Sequence, residues 1–250
     1  MPSTSTPAER QLCDVLFMPV ACIPEDHSRQ CTSSVMVEQY LGGQDGRAAP
    51  AVILDLGCGA GNSVDFFRRI APGAQWIGVD IAGSPEVMDR RRSDADFRTF
   101  DGVHIPLADQ SVDLVFCNQV FAHVDRPAEL LSEVRRVLKP GGQFIGSTSH
   151  LEPITSYARN NFTPFGFASM LDSAGLELRE LRPGIDGITL ILRRFLWMPR
   201  VFDRFYEVES PLNRLIGFAG RLRGRSARAI NTRKLLFAGQ YVFRAETPAD

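Results

Sequence analysis

Residues 51–80, AVILDLGCGAGNSVDFFRRIAPGAQWIGVD, decide the fold of this chain. Val52, Ile53 and Leu54 form a short apolar run with the length and composition of a buried strand. Asp55 follows, then three glycines at alternate positions, Gly57, Gly59 and Gly61. Beyond them Val64, Phe66, Phe67 and Ile70 are interspersed with Asp65, Arg68 and Arg69, which predicts a helix with one apolar face. A second apolar run, Trp76 to Val79, ends on Asp80. Strand, glycine turn, helix, strand and acid make a nucleotide-binding βαβ unit. Glycine permits dihedrals that a Cβ forbids and lets backbone approach a ligand closely. A carboxylate closing the second strand can accept hydrogen bonds from both hydroxyls of a ribose.

The glycine spacing separates two ligand classes. A dinucleotide site uses G-x-G-x-x-G, with the amides of a helix N-terminus aimed at a pyrophosphate. Here the pattern is G-x-G-x-G, with Asp55 two residues ahead of the first glycine. A carboxylate at that point suits an ammonium group better than a pyrophosphate. The D-x-G-x-G-x-G signature with its acidic strand end resembles the class I S-adenosylmethionine-dependent methyltransferases. The plain alternative is a tight turn in an unrelated α/β protein.

With 250 residues, 44% of them hydrophobic and 23% charged, the chain suits one elaborated α/β domain with a full core. A net charge of −1 gives no general reason to bind nucleic acid. Five cysteines, Cys13, Cys22, Cys31, Cys58 and Cys117, form no C-x-x-C pair. Neither a metal site nor a disulfide framework is expected from them, and a reducing cytosol is the simplest setting. Leu12 to Ile23 is interrupted by Asp14, lacks a basic leader and is too short to span a bilayer. Residues 1–9, rich in Ser, Thr and Pro, read as a disordered tail.

Further along, Val35 to Leu41 predicts a helix, and Ser84-Pro85-Glu86 starts another that runs towards Arg92. Strands are expected at Phe97 to Phe100, Leu114 to Asn118 and Phe144 to Thr148, with an amphipathic helix over Pro127 to Leu138. Thr163 to Ala174 reads as a capped helix stopped by Gly175, and Leu176 to Leu181 as a strand. The final strand is expected at Leu235 to Arg244. Strands alternating with helices imply a parallel sheet with right-handed crossovers.

The run DGVHIPLADQSVDLVFCN, then His123-Val124, then EVRRVLKPGGQ, looks like the small-molecule branch of the methyltransferases that includes quinone-biosynthesis enzymes. The resemblance covers about residues 50–182. It implies an α/β, doubly wound, mostly parallel seven-stranded sheet, Rossmann-like, with the last strand antiparallel and here a helical insert before it. It also implies S-adenosylmethionine as cofactor. Asp55, Gly57, Cys58, Gly59 and Gly61 would wrap its amino-acid end, and Asp80 with Ile81 would hold the ribose. Asp101 with Gly102 would take the adenine amino group, and Asn118 with Gln119 would lie beside the methionyl portion. Cys58 reads as a packing residue within that loop, not a nucleophile.

Methyl transfer from a sulfonium is an in-line displacement in which the cofactor carries the driving force. A hydroxyl acceptor would add the need for a general base. Candidates should sit where open α/β sheets bind ligands, at the C-terminal ends of strands. His123 and His150 both follow strand ends. For His123 a loop-fixing role is the favoured reading and catalysis the alternative. His150 opens the polar stretch HLEPITSY, in which Glu152 is near enough in sequence to orient an imidazole and Tyr157 is a possible substrate contact. A solvated loop histidine is the competing reading. His104 and His27 have no better case.

The chain therefore divides into a tail and cap helix (1–49), a cofactor-binding core (50–182), a helical substrate-side insert (183–234) and a final strand with its tail (235–250). From Arg182 to Lys234 twelve basic residues face four acidic ones, a net of +8, among Phe195, Trp197, Phe202, Phe205 and Tyr206. This insert reads as a lid with solvated arginines, or one whose arginines meet an anionic or carrier-borne small molecule. Contact with an anionic membrane ranks below both, and nucleic acid is not expected. Lying outside every cofactor motif, the insert is expected to be replaceable by a short turn without loss of cofactor binding. The reading is a cytoplasmic methyltransferase of small-molecule metabolism forming an O-methyl group. N- or C-methylation, or a binding-competent but inactive regulatory protein, are its alternatives.

Overall fold

The computed structural model describes residues 20–43, 49–153 and 157–249. The expected tail at 1–9, Cys13 and most of the Leu12–Ile23 run lie outside them. The apolar runs become strands β1 (Val52–Leu56), β2 (Gln75–Ile81), β3 (Asp96–Phe100), β4 (Val112–Asn118), β5 (Leu138–Ser149), β6 (Glu177–Pro183) and β7 (Gln240–Glu246). They form one seven-stranded sheet in the order β3-β2-β1-β4-β5-β7-β6. All pairs are parallel except those of β7, which runs antiparallel to both β5 and β6.

Because side chains alternate across a strand, neighbouring residues serve opposite faces. Leu54, Val115, Phe144 and Phe243 enter one buried cluster, with Leu130, Leu131, Val134 and Val137 of helix α4 (Pro127–Val137) and Phe167 and Leu171 of α5 (Pro164–Ser173). Ile53, Leu114, Ile145 and Val242 enter the other, with Met36 and Val37 of α1 (Ser33–Gly42) and Val64 and Phe67 of α2 (Val64–Ile70). The helix after β1 and the helix after β4 thus cover opposite faces. The loops leaving β1 and β4 diverge at the point where an open α/β sheet has its binding crevice.

Two boundaries differ from expectation. The helix α3 begins on Ser84 as its cap, as expected, but spans only Pro85–Met88 and buries none of its residues. With no apolar face to pack, the chain leaves it, and Arg90 and Arg92 turn back onto the glycine loop. The other difference is at Leu235, which ends a helix instead of opening the last strand. β7 begins at Gln240, and Ala238 makes only an isolated bridge to Asp186.

Between β6 and β7 lie α6 (Gly187–Phe195), a 3-10 turn (Arg200–Tyr206), α7 (Pro211–Leu222) and α8 (Ala227–Leu235). This stretch is tied to residues 23–30. Gln30 Nε2 donates to the Phe205 carbonyl at 2.7 Å, and Gln30 Oε1 accepts from Ser210 N and Asn213 Nδ2. Asn231 Nδ2 donates to the His27 carbonyl at 2.8 Å, and Arg228 Nε to that of Ile23 at 2.8 Å. Lys234, fully buried, reaches Glu209 and the Ser28 carbonyl at 2.5 Å. Removing partners from buried groups of this kind leaves each with its desolvation penalty. The insert is therefore interlocked with the segment leading into α1, so a short turn in its place would strip these buried groups of their partners.

Candidate cofactor and acceptor site

The loop between β1 and α2 takes its shape from its glycines. Gly57, Gly59 and Gly61 have φ of +73°, +49° and +82°. Gly57 and Cys58 donate to the Val79 carbonyl at 2.8 and 3.1 Å, which holds the loop against the end of β2. At Gly57 an added Cβ would lie 2.2 Å from Val120 Cγ2, so the loop also depends on the bare backbone there. Asp80 joins the two strand ends. Its Oδ2 accepts from Gly59 N and its Oδ1 from Ile81 N, both at 2.7 Å, and the residue is half-buried.

Asp55 lies beneath this loop, 4% exposed. Ser63 Oγ, which accepts from Trp76 Nε1 at 3.1 Å, donates to its Oδ2. Burial pushes the Asp55 carboxyl up to about 7, against the pull of Ser63 and with a further push from the Asp80 charge. A cationic ligand group beside Asp55 would relieve both penalties, which is what the ammonium of an amino acid supplies. Cys58 is buried, and its thiol is pushed up to about 12, chiefly by burial, which fits packing and not nucleophilic chemistry.

Asp101, after β3, accepts from Val103 N and His104 N and pairs with His104 Nδ1 at 2.6 Å. The bond from His104 holds its carboxyl far below the usual carboxylate range, and the same contact raises the imidazole. Gly102 beside it has φ +92°. At the end of β4, Asn118 Oδ1 accepts from Ser33 Oγ at 2.9 Å and from Ser147 Oγ at 2.7 Å. Gln119, at φ +59°, donates from Nε2 to Ser147 Oγ at 2.9 Å. Ser149 Oγ lies 2.8 Å from Gln119 Oε1 and 2.6 Å from Glu152 Oε2, its one proton serving either at a time. A continuous polar chain thus leads from the β4 end to Glu152.

Glu152 and His150 line a cavity of about 380 Å³ with Leu151, Asn161, Ile188, Ile191 and Phe237. His150 is half-buried, and burial lowers its pKa, so the neutral imidazole prevails. The carboxylate of Glu152 accepts from Ser149 and, at 2.9 Å, from Gln240 Nε2. It is thus occupied by these groups and not by the imidazole that sequence proximity suggested. His123 is exposed on the 3-10 turn Phe121–His123, away from that cavity's lining. Tyr157 is 80% exposed, with φ +64°.

Sequence reading missed Arg90 and Arg92. Arg90 Nε donates to the Gly59 carbonyl at 2.8 Å while its guanidinium stacks over Phe97, 4.0 Å from the ring centroid. Arg92 donates to the Gly61 carbonyl at 3.2 Å and to both Asp65 oxygens. The only signal was the run Arg90-Arg91-Arg92, which carries no pattern of its own.

Residues 54–146 match the family model described as a methyltransferase domain. A malonyl-[acyl-carrier protein] O-methyltransferase of Methylococcus capsulatus is 39% identical over 103 residues, 40% of this chain and 38% of the relative. A probable S-adenosylmethionine-dependent methyltransferase of Mycolicibacterium smegmatis is 30% identical over 143 residues, 54% of this chain and 55% of the relative. The chain therefore spans about two fifths to just over half the length of these curated relatives. Among solved structures, a putative sarcosine dimethylglycine methyltransferase from Galdieria sulphuraria superposes with a TM-score of 0.56 at 16% identity, covering 85% of this chain and 86% of that one. That likeness is one of fold.

Proposed function

We propose that this chain, whose residues 54–146 match a methyltransferase domain, is a class I S-adenosylmethionine-dependent methyltransferase that methylates an oxygen of a small molecule held in the cavity beside His150. The observation that carries this reading is the polar chain Asn118–Ser147–Gln119–Ser149–Glu152, which connects the cofactor side of the sheet to that cavity. S-adenosylmethionine supplies a methyl group already activated on a sulfonium. The protein's part is to align acceptor and methyl, an effect worth roughly 7–11 kcal/mol when geometry is good. Asp55 and the glycine loop would hold the amino-acid end, Asp80 the ribose, and Asp101 the adenine. His150, kept neutral by burial, is suited to accept the acceptor's hydroxyl proton. The cysteines, five in number and without a C-x-x-C pair, are consistent with a reducing compartment such as the cytoplasm. No helix among the described residues is long and apolar enough to cross a membrane.

Asp80→Ala tests the cofactor assignment. It removes a charged acceptor and frees Gly59 N, so S-adenosylmethionine affinity measured by calorimetry should fall by about 2–3 kcal/mol in a folded variant. Unchanged affinity would refute the assignment, and micromolar binding of NAD would restore the dinucleotide reading. His150→Ala tests the base. It should lower kcat about 10²–10⁴-fold while cofactor affinity stays near wild type. Because burial lowers this imidazole's pKa, wild-type kcat should hold through neutral pH and fall only below the ordinary value of about 6.5. A flat profile or an active variant would leave alignment alone as the catalytic device.

A further inference from the structure

An amphipathic helix at a protein surface normally turns its apolar stripe inward. Helix α6 does so with Leu190 but leaves Ile188, Ile191, Leu192 and Phe195 outward, the i, i+3, i+4, i+7 pattern of a second apolar stripe. That stripe begins at the cavity beside His150, which Ile188 and Ile191 line, and runs away from it. It continues through Leu196, Trp197 and Met198 to Val201, all exposed, with Phe195 at 76% and Trp197 at 93%. Trp197 and Met198 have φ of +61° and +57°, a conformation that costs a non-glycine residue energy and is held here in two successive residues. The backbone is thus strained in the very turn that presents an indole ring to the outside. Helix α7 repeats the composition, exposing Leu215, Phe218 and Leu222 among Arg214, Arg221 and Arg223.

Charge decides what this ridge meets. Residues 187–225 hold eight arginines against Asp203, Glu207 and Glu209, a net of +5. Arg193 is taken up by Asp203 at 2.7 Å, whereas Arg200, Arg214, Arg223 and Arg225 stand exposed. A second copy of the same surface would bring +5 against +5. An anionic bilayer offers the opposite sign over a wide area, an apolar layer for the Phe195–Met198 side chains, and a headgroup zone suited to an indole. We propose that α6 and the turn after it dock this protein on the surface of an anionic lipid membrane. The proposal does not depend on the identity of the methyl acceptor or on the role of His150.

The test uses vesicles of phosphatidylcholine alone and of phosphatidylcholine with phosphatidylserine, mixed with the full chain. Sedimentation should show binding to the anionic vesicles at least tenfold tighter than to the neutral ones, and loss of that difference in high salt. Trp197 fluorescence should shift to the blue on binding; the other tryptophan, Trp76, is buried and gives a constant background. The double variant Phe195→Ser, Trp197→Ser should bind anionic vesicles at least tenfold more weakly while its S-adenosylmethionine affinity is unchanged. Equal binding to both vesicles, or none to either, would overturn the proposal. So would a dimer of the wild type that the double variant abolishes, or a ridge found occupied by residues 1–19 or by an acidic protein while vesicles are ignored.

Discussion

Asp55→Asn is expected to make the ligand-free protein more stable and its cofactor binding worse. Asp55 is buried with no cationic side chain acting on it among the described residues, and its folded-state carboxyl lies at about 7 instead of 3.8. A carboxyl raised in this way favours the folded state most below its unfolded value. That favour is lost as pH rises from about 3.8 to about 7, because the folded protein must then ionise a group in a dry place. The span corresponds to roughly 4 kcal/mol at full effect. Asparagine keeps the shape and can still accept from Ser63 but never ionises. Urea unfolding at pH 8 should therefore show the variant about 2–4 kcal/mol more stable than wild type, with the gain vanishing near pH 4. The same change removes the partner of the ligand's ammonium. Wild-type S-adenosylmethionine affinity should fall about tenfold per pH unit below about 7, and the variant's should be weak and much less dependent on pH. A stability difference independent of pH, or a variant that binds the cofactor as well as wild type, would remove Asp55 from the site.

Gly57→Ala should be damaging for a different reason. At φ +73° an L-residue loses about 1–2 kcal/mol, and the new methyl would meet Val120 Cγ2 at 2.2 Å. Val120 is β-branched and packed against the core beside the β4 end, so it yields little. Overpacking adds about 1–3 kcal/mol, for a total near 2–5 kcal/mol. Since the displaced backbone also carries the contact with Val79, cofactor binding should be lost along with stability. Denaturant titration and calorimetry together check this, and a loss under 1 kcal/mol with normal binding would mean that the turn relaxes freely. Gly59 offers the internal comparison, because an added Cβ there meets only the Glu86 side chain at 3.2 Å.

What could be read beforehand was local. Asp55, the alternate glycines and Asp80 carry their meaning in spacing, and the strands carry theirs in short apolar runs bounded by turns. The extent of α3 and the start of the last strand were misjudged for different reasons. Arg90 and Arg92 look like helix surface but bind carbonyls of the glycine loop, thirty-one residues away in each case. Leu235 to Gly239 is an apolar run that periodicity alone cannot assign to helix or strand. The polar chain to Glu152 was invisible because its members lie on β4, on β5 and just beyond the ends of both, brought together by the pairing of the two strands. The aromatics of the insert were plain in the sequence, whereas the division between exposed Phe195 and Trp197 and buried Phe205 was not.

The position of β7 between β5 and β6 sets an order of events during synthesis. When the ribosome has released residues through 183, β6 exists but its only neighbour in the sheet does not. The β5 edge is equally unpaired on that side, and its Phe144 and Ile145 lack the cover that Val242 and Phe243 later bring. The intervening helices must all be made first, and the residues that fasten segment 23–30 are made with them. Both ends of the growing chain therefore wait for the same late stretch. A nascent polypeptide in this state presents two open strand edges, the feature that invites wrong pairing between chains. Slow translation just before residue 240 would lengthen that exposure, and a molecular chaperone would find its strongest target there.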